Sequence, residues 1–447
     1  MGSPPDVAKT YHIHTYGCQM NVRDSETLAG WLGSLGYQPA ATPDVADVIL
    51  FNTCGIREHA HARVMGNIGH LRRWHEADPT RILGVCGCMP QQADVAEQLM
   101  KRFPYVSFVL GPQTIEHLPQ AMRDAAQGIR SKILLDEAPI LENQPRTRAQ
   151  GVSAFVSIMA GCNNFCSYCV VPYVRGRERS REPLAVVQEV QALAADGVRE
   201  VTLLGQNVNS YRYGSVDFSG LLRLCAQVEG ILRIRFMTSN PHDFTDELIE
   251  TMATTPQICR HVHLPVQSGN DGVLRAMNRR YTRGEYLSLV ERLRRRMPDI
   301  AITTDFIVGF PGETDAAFEQ SVSLVEAVEF DTAFLFLFSK RPGTPAATME
   351  DQVPQAVIQA RHARLLGIQQ AITARRDAAM VGTCLPVLLE NLDDRTSTLM
   401  MGRIPSGCNV HVAADPSRIG QICPVTITRA GTHTLYGTLA TNNKGDH

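Results

Sequence analysis

Three cysteines stand close together in the segment GCNNFCSYC, at Cys162, Cys166 and Cys169. Gaps of three and then two residues on a loop allow three thiolates to face one [4Fe–4S] cluster, and they leave its fourth iron without a protein ligand. An iron that is open in this way can bind and activate a substrate. A structural zinc site prefers four closed ligands, and no nearby Cys or His pair has the usual spacing. The spacing therefore favours an iron–sulfur cluster.

A second set of cysteines is dispersed along the first part of the chain: Cys18 in TYGCQMN, Cys54 in NTCGIRE and Cys88 in GVCGCMPQ. Each follows a predicted strand, and parallel strands bring their carboxyl ends to one edge of a sheet, where α/β proteins bind ligands. Cys86 is an alternative to Cys88, but we expect Cys86 to lie within the strand. The competing interpretation is that all three are buried core thiols, as single cysteines often are.

The elements that would position these cysteines alternate between strand and helix. Apolar runs in YHIHTYGC, VADVILFNTC, TRILGVCGC and YVSFVLG are separated by helical periodicity at 25–35, 58–74 and 94–103. This alternation predicts an N-terminal parallel α/β domain over residues 8–125. Residues 126–150 include ILENQPRTRAQG, which has turn formers, charge and no periodicity, so we expect a linker there.

Six further strand–helix units follow and predict a partial (β/α)6 barrel over residues 151–376. The expected strands lie in FVSIMAGC, EVTLLGQN, ILRIRFMTS, HVHLPVQS, AITTDFIVGF and DTAFLFLFS. The expected helices lie near 183–196, 219–229, 245–254, 283–297 and 314–329. A helical connector precedes short β runs broken by Gly and Pro, which predict a small C-terminal β-barrel over residues 377–441. The chain of 447 residues is long enough for about three such domains.

Composition excludes several classes of protein. A formal charge of -2 argues against a strongly basic nucleic-acid coat protein. Twelve cysteines in this length are too few for a disulfide-stapled secreted scaffold. The first residues lack the profile of a signal peptide, and no apolar run has the ~18 residues that a membrane span needs. We therefore expect a cytoplasmic protein without a membrane partner.

Positive charge is concentrated beside the first cysteine loop. Between Cys162 and Arg181 the chain has four Arg and one Glu. Alternation of Arg175, Arg177, Arg179 and Arg181 would place four guanidinium groups on one face of an extended segment, which suits phosphate binding. The alternative is a solvated charged face without a ligand.

Taken together, the motifs resemble those of the methylthiotransferase family of radical S-adenosylmethionine (SAM) enzymes over nearly the whole chain. TYGCQMN, NTCGIRE, VVPYVRGRERSR, LLGQNVNSY, HLPVQSGND and TDFIVGFPGET look like the branch that acts on isopentenyladenosine in tRNA. The branch that acts on ribosomal protein S12 usually has Pro-Lys in place of Gln19-Met20, and the threonylcarbamoyladenosine branch has Lys-Val. Ala160 departs from the family pattern, which often has Glu or Arg there.

This resemblance implies transfer of a methylthio group to C2 of N6-isopentenyladenosine at position 37 of tRNA. It implies two SAM molecules, one as methyl donor and one as radical source, and two [4Fe–4S] clusters, one on each set of three cysteines. It places Tyr168, Gln206, Gln267 and Ile307 at SAM, although each could instead serve packing or loop capping. The expected partners are the tRNA anticodon stem-loop, a low-potential electron donor and a sulfur source. A TRAM domain is expected at the C-terminus, and a non-enzymatic iron–sulfur RNA-binding protein is the remote alternative.

Overall fold

A computed structural model of the chain describes residues 9–55, 58–148, 150–393 and 398–440. The chain divides into two compact units. The N-terminal unit contains the chain up to residue 149 together with 159–165 and 169–181, and the C-terminal unit contains the remainder. The predicted outer limits of the domains, residues 8 and 441, lie outside the described residues.

The N-terminal unit is built on a six-stranded sheet in the order β2-β1-β3-β4-β5-β6, in which every neighbouring pair is parallel. Its strands are β1 (Thr10–Thr15), β2 (Gln38–Pro39), β3 (Val48–Thr53), β4 (Ile82–Gly87), β5 (Phe108–Leu110) and β6 (Ser131–Ile133). Every residue of β3 and β4 is buried. Central strands of a parallel sheet are covered on both faces, which explains their nearly continuous apolar sequences.

Helices cover both faces of this sheet. They are α1 (Gln19–Ser34), α2 (Glu58–His70), α3 (Arg72–Ala77), α4 (Ala93–Arg102) and α5 (Leu118–Ala126). Leu28 of α1 and Leu118 of α5 belong to one apolar core, whereas Ile68 of α2 and Leu99 of α4 belong to the other. The first helix begins at Gln19, six residues before the predicted start, because Cys18 already occupies its N-cap position.

The segment predicted as a linker is only partly irregular. Residues 131–133 form β6, which pairs in parallel with β5. A three-residue edge strand is too short to show a period of two, so its sequence gave no signal. Farther along the segment, the backbone N–H of Thr147 donates to the carbonyl of Glu26 at 2.9 Å.

Six strands in the first part of the C-terminal unit form two three-stranded parallel sheets in chain order, and residues 212–213 and 216–217 add a short antiparallel hairpin. The strands are β7 (Ser153–Ser157), β8 (Glu200–Leu204), β9 (Arg233–Phe236), β10 (His261–His263), β11 (Ala301–Val308) and β12 (Thr332–Leu337). The helices between and after them are α6 (Pro183–Ala195), α7 (Phe218–Ala226), α8 (Asp246–Thr254), α9 (Asp271–Ala276), α10 (Arg283–Arg296) and α11 (Asp315–Val328). The predicted β/α repeat is therefore present.

A long helix, α12 (Gln355–Ala379), leads to a closed β-barrel in the order β13-β14-β15-β17-β16. Its strands are β13 (Cys384–Leu392), β14 (Met400–Arg403), β15 (Asn409–Ala413), β16 (Ile422–Gly431) and β17 (Thr434–Leu439). Apolar side chains such as Val387, Val410 and Leu435 fill its interior. Of the helices that the structure describes, none combines the length and apolarity that crossing a membrane would require.

A buried charge group joins the barrel to the parallel-strand core within the C-terminal unit. Glu200, at the start of β8, is fully buried. One of its carboxylate oxygens lies 3.0 Å from Nε of Arg235 on β9 and 3.0 Å from Nη2 of Arg403 on β14. Arg235 also donates to the carbonyls of Ile404 and Pro405, both at 2.7 Å. Because these charges are buried, removal of any one of them would leave its neighbour with one partner fewer in the interior.

Candidate functional site

Cys18, Cys54 and Cys88 occupy equivalent places at one edge of the N-terminal sheet. Cys54 and Cys88 directly follow β3 and β4, and Cys18 lies between β1 and α1. The register pairs the ends of neighbouring strands, since Thr53 lies opposite Gly87. Cys54 and Cys88 are 3% and 2% exposed, and Cys18 is half-buried. The expected convergence of strand ends is therefore present in this unit.

A glycine and two buried asparagines hold this edge together. Gly17 has a φ of +120°, and a Cβ there would lie 2.6 Å from Cβ of Cys54. The backbone can therefore approach Cys54 only without a side chain. Nδ2 of Asn21 donates to the carbonyl of Thr53 at 2.9 Å, and Nδ2 of Asn52 donates to the carbonyl of Asn21 at 2.8 Å. These bonds fix α1 against β3 beside the cysteines.

Cys86 and Cys88 have different surroundings. Cys86 is fully buried within β4 and belongs to the apolar core beneath the sheet. Burial raises the pKa of its thiol. Burial also raises the pKa of the Cys88 thiol, to about 11, and Arg175 offsets part of that rise. Asp24, Cys54 and Cys18 lie close enough to raise the same pKa by smaller amounts.

Arg175 lies within this cysteine group and is 6% exposed. Its Nε donates to Sγ of Cys88 at 3.2 Å, and its Nη2 donates to Oδ2 of Asp24 at 2.7 Å. A short helix, Val171–Val174, precedes Arg175, and its last residue Val174 and its N-cap residue Val170 pack against Cys88. A guanidinium group that is buried against a carboxylate is poorly placed for RNA phosphates, so the burial of Arg175 does not favour its predicted RNA contact.

The other three arginines of the predicted clamp also differ in exposure. Arg181 is 5% exposed and donates to Oε2 of Glu142 at 2.5 Å, so it too is paired inside the protein. Arg177 is exposed, with its guanidinium 4.3 Å from the ring centroid of Phe165, and Arg179 is half-buried. The segment is not extended throughout, because a helical turn ends at Arg175 and only residues 179–180 form a strand. One shared face of four guanidinium groups is therefore absent.

The cysteine loop is anchored close to Cys162. The backbone N–H of Cys162 donates to the carbonyl of Gly176 at 3.2 Å. Nδ2 of Asn164 donates to Sγ of Cys162 at 3.5 Å. Gly161 has a φ of +79°, and a Cβ there would lie 2.0 Å from the carbonyl oxygen of Arg177. Only glycine tolerates this approach, so the chain enters the loop in one conformation.

Cys166 carries a hydrogen bond that the sequence did not predict. Nη1 of Arg279 donates to Sγ of Cys166 at 3.4 Å. The same guanidinium donates from Nε to the hydroxyl of Tyr281 at 2.8 Å and from Nη2 to the carbonyl of Pro265 at 3.0 Å. Next to Cys166, Oγ of Ser167 donates to the carbonyl of Ala276 at 2.8 Å. Arg279 follows α9, more than a hundred residues away in sequence, so spacing could not reveal it.

The four residues predicted at SAM all lie in the C-terminal unit. Tyr168 and Ile307 pack against one apolar cluster that contains Phe310. Gln267 has a φ of +70°, and its carbonyl accepts from the backbone N–H of Ile307 at 3.0 Å. Gln206 follows β8, and its Oε1 is buried without a hydrogen-bond partner among the described residues. The structure thus brings Tyr168, Gln267 and Ile307 to one region, and places Gln206 at a strand end.

One face of β10–β12 carries polar and aromatic groups that sequence analysis did not select. Nε2 of His263 lies 3.5 Å from Oδ2 of Asp305, and the ring of Phe334 is 5.9 Å from that of His263. Phe334 and Phe336 are 49% and 45% exposed, although both lie in a strand of the core. Ile307 and Phe336 are register partners. Phe334 and Phe336 are two residues apart on β12, and this period of two in the sequence indicates that both rings lie on one face of the sheet.

The donor sets can be tested against an iron–sulfur cluster. Across the ranges that the structure describes, no three side chains of His, Cys, Asp or Glu are grouped as ligands of a single metal ion. A [4Fe–4S] cluster instead binds each cysteine through a different iron, so its ligands stand farther apart. Three cysteine thiols at adjacent strand ends, with a glycine where one backbone passes Cys54, fit such a group. They do not fit a compact mononuclear site.

Two family models match the chain. The model of the Radical SAM superfamily matches residues 156–325, and that of Uncharacterized protein family UPF0004 matches residues 10–111. The tRNA-2-methylthio-N(6)-dimethylallyladenosine synthase of Caldicellulosiruptor saccharolyticus is 49% identical over 434 residues, which cover 96% of this chain and 92% of that relative. The protein of the same name from Moorella thermoacetica is 46% identical over 435 residues, covering 96% and 98%.

Solved structures show the same fold at low identity. The radical S-adenosylmethionine methyltransferase TsrM from Kitasatospora setae has a TM-score of 0.57 at 16% identity and covers 76% of this chain and 74% of its own. The cobalamin-dependent S-adenosylmethionine radical enzyme OxsB has a TM-score of 0.51 at 10% identity, covering 83% and 56%. At these identities the likeness concerns the fold alone.

The parallel-strand core and the superfamily match define the class of the protein, a radical SAM enzyme that uses SAM and an iron–sulfur cluster. With relatives of 44–49% identity over 96% of its length, the chain belongs to the family of tRNA-2-methylthio-N(6)-dimethylallyladenosine synthases. This confirms the predicted methylthiotransferase family, the α/β fold class with its C-terminal barrel, and the enzyme class. The alternatives among ribosomal-protein, threonylcarbamoyl and non-enzymatic proteins are not favoured.

Proposed function

We propose that this protein transfers a methylthio group to C2 of N6-isopentenyladenosine at position 37 of tRNA. Relatives with the corresponding name align with this chain over 92% and 98% of their own length. The observation that carries the proposal is the convergence of Cys18, Cys54 and Cys88 at one sheet edge, in a chain that also has the radical SAM core. A second cluster-binding cysteine group is what a radical enzyme that also delivers sulfur would use.

Two [4Fe–4S] clusters are proposed, one on Cys162, Cys166 and Cys169 and the other on the strand-end cysteines of the N-terminal unit. When bound, the clusters and two SAM molecules would supply the radical, the methyl group and an iron site at which sulfur from the separate source is held. The protein holds these groups and limits access of water. Burial of Cys54 and Cys88 supports this role, since both thiols are almost fully covered.

The SAM contacts remain those expected from the motifs. Tyr168 and Ile307 offer an apolar surface, and the backbone carbonyl of Gln267 accepts from the N–H of Ile307. A buried Oε1 without a partner favours a ligand at Gln206, because buried polar atoms are normally hydrogen-bonded.

RNA binding is assigned to Arg177 and Arg179, without Arg175 and Arg181, and to a TRAM domain over residues 377–441. The exposed rings of Phe334 and Phe336 on β12 supply an apolar surface suited to a dimethylallyl group. A base in the anticodon loop is single-stranded and can leave its stack at small cost. We further propose a low-potential electron donor, a separate sulfur source and action in the cytoplasm, where tRNA is found.

The test uses anaerobically reconstituted protein with SAM, a reductant and sulfide. An anticodon stem-loop carrying isopentenyladenosine should gain a methylthio group, detected by mass spectrometry of the digested RNA. The same stem-loop with unmodified adenosine or with threonylcarbamoyladenosine, and ribosomal protein S12, serve as matched substrates. Absence of the methylthio product from the first RNA, under conditions that produce 5′-deoxyadenosine, would refute the proposal.

A further inference from the structure

A buried arginine holds one of the strand-end cysteines. Arg175 is 6% exposed and Cys88 is 2% exposed. Only 3.2 Å separates Nε of Arg175 from Sγ of Cys88, which is within hydrogen-bond distance for a sulfur acceptor. Because both groups are covered by protein, water does not compete strongly for this bond.

The position of Arg175 is determined on three sides. Its backbone N–H donates to the carbonyl of Val171 at 2.8 Å, which closes the short helix before it. Val170 and Val174 of that segment pack on Cys88. Asp24 of α1 accepts from Nη2 at 2.7 Å and orients the plane of the guanidinium, so that Nε–H points to the sulfur.

A cysteine that binds iron does so as a thiolate, and a buried thiolate needs a donor or a positive charge nearby. Hydrogen bonds to cluster sulfurs, net charge and solvent exposure set the reduction potential of an iron–sulfur cluster. Partners of this kind, which act on a ligand rather than on the metal, orient the ligand and tune the metal. Arg175 supplies the hydrogen bond, while Asp24 balances its charge.

We propose that Arg175 is a positioning residue of the N-terminal cysteine group, which donates a hydrogen bond to Sγ of Cys88 and raises the reduction potential of the cluster held there. This inference rests on the proposed function only in taking Cys18, Cys54 and Cys88 as cluster ligands. Arg175 acts through Cys88 and contacts neither SAM nor RNA in this role.

The test uses the full-length chain with Cys162, Cys166 and Cys169 replaced by alanine, so that only the N-terminal cluster contributes. In this background R175M should lower the midpoint potential measured by EPR-monitored titration. We expect at least a tenfold change in the ratio of reduced to oxidised cluster at a fixed potential, which is about 59 mV for one electron. R175K, which keeps the charge but lacks the planar donor, should give a smaller decrease.

Asp24 separates the hydrogen bond from the charge. D24N keeps an oxygen acceptor for Arg175 but removes a negative charge, so it should raise the potential. R175M/D24N removes one positive and one negative charge, so its potential should lie below that of the background protein because the bond to Cys88 is lost at unchanged net charge. The control is R72M, since Arg72 is 73% exposed on α3 and should leave the potential unchanged.

Iron content, measured beside the potential, distinguishes the outcomes. Unchanged potentials in R175M and D24N at full iron content would overturn the role of Arg175 and leave the proposed function untouched. A background protein that binds no cluster at all would overturn the ligand assignment, and the inference with it. A lower potential in R175M that R175K partly restores would support the inference, even if no RNA product were formed.

Discussion

Replacing Cys88 by alanine should remove about half of the bound iron, whereas replacing Cys86 by alanine should leave the iron in place. The two residues lie two positions apart, so the pair tests which thiol is a ligand with little other change in sequence. The expectation follows from their positions, because Cys88 stands beyond the end of β4 and Cys86 points into the core.

The structural cost of changing Cys86 can be worked out from its burial. It is fully buried among apolar side chains, so loss of the sulfur leaves a cavity of about one methyl group, which costs ~1 kcal/mol. Serine at the same position would bury a hydroxyl in apolar surroundings, at a cost of about 1–3 kcal/mol. Cys86→Ser should therefore destabilise the protein more than Cys86→Ala, and neither should release the cluster.

The assay combines three measurements on anaerobically reconstituted protein. Iron and sulfide content report the clusters, thermal unfolding of the apo chains reports stability, and mass spectrometry of the RNA reports methylthio transfer. Cys88→Ala should lose the RNA product and keep 5′-deoxyadenosine formation. Loss of half the iron in Cys86→Ala, with full iron in Cys88→Ala, would refute the assignment of Cys88.

Three further predictions concern other parts of the molecule. Cys162→Ala should abolish SAM cleavage and keep the N-terminal cluster, whereas Cys54→Ala should keep SAM cleavage and lose methylthio transfer; equal loss of both activities in both variants would contradict this separation. Glu200→Ala should lower the free energy of unfolding by about 3–5 kcal/mol, because it leaves buried guanidinium groups without their carboxylate, and a negligible change in chemical unfolding would contradict it. Arg177→Met should weaken stem-loop binding and reduce the salt dependence of log K by about one unit, as loss of one phosphate contact would, while exposed Arg72→Met should leave both unchanged.

The sequence was sufficient for the elements that carry strong periodicity. Strands β3 and β4 are fully buried and apolar, and helices such as α10 and α11 agree with their predicted limits to within about one residue. The convergence of the strand-end cysteines also followed from sequence, because parallel strands fix where their carboxyl ends lie.

Side-chain partners that are distant in sequence could not be predicted in this way. In the sequence, arginines alternate with other residues between Arg175 and Arg181, which is typical of an exposed charged stripe. Arg175 and Arg181 are instead paired with carboxylates that lie 151 and 39 residues away in the chain. Whether an arginine faces solvent or a buried carboxylate depends on tertiary packing, which local patterning does not encode. The short strand β6 was missed for a different reason, since three residues are too few to define a period.

The arginines that donate to Cys88 and to Cys166 differ in charge balance. Arg175 donates to Cys88 and is paired with Asp24, so its positive charge is compensated within hydrogen-bond distance. Arg279 donates to Cys166 and otherwise to a hydroxyl and a carbonyl, which carry no formal charge. The same type of donor therefore adds a hydrogen bond alone at Cys88, but a hydrogen bond and a positive charge at Cys166. With a cluster bound at each cysteine group, as proposed, both terms would favour its reduced form, so Arg279 should favour reduction at Cys166 more strongly than Arg175 does at Cys88.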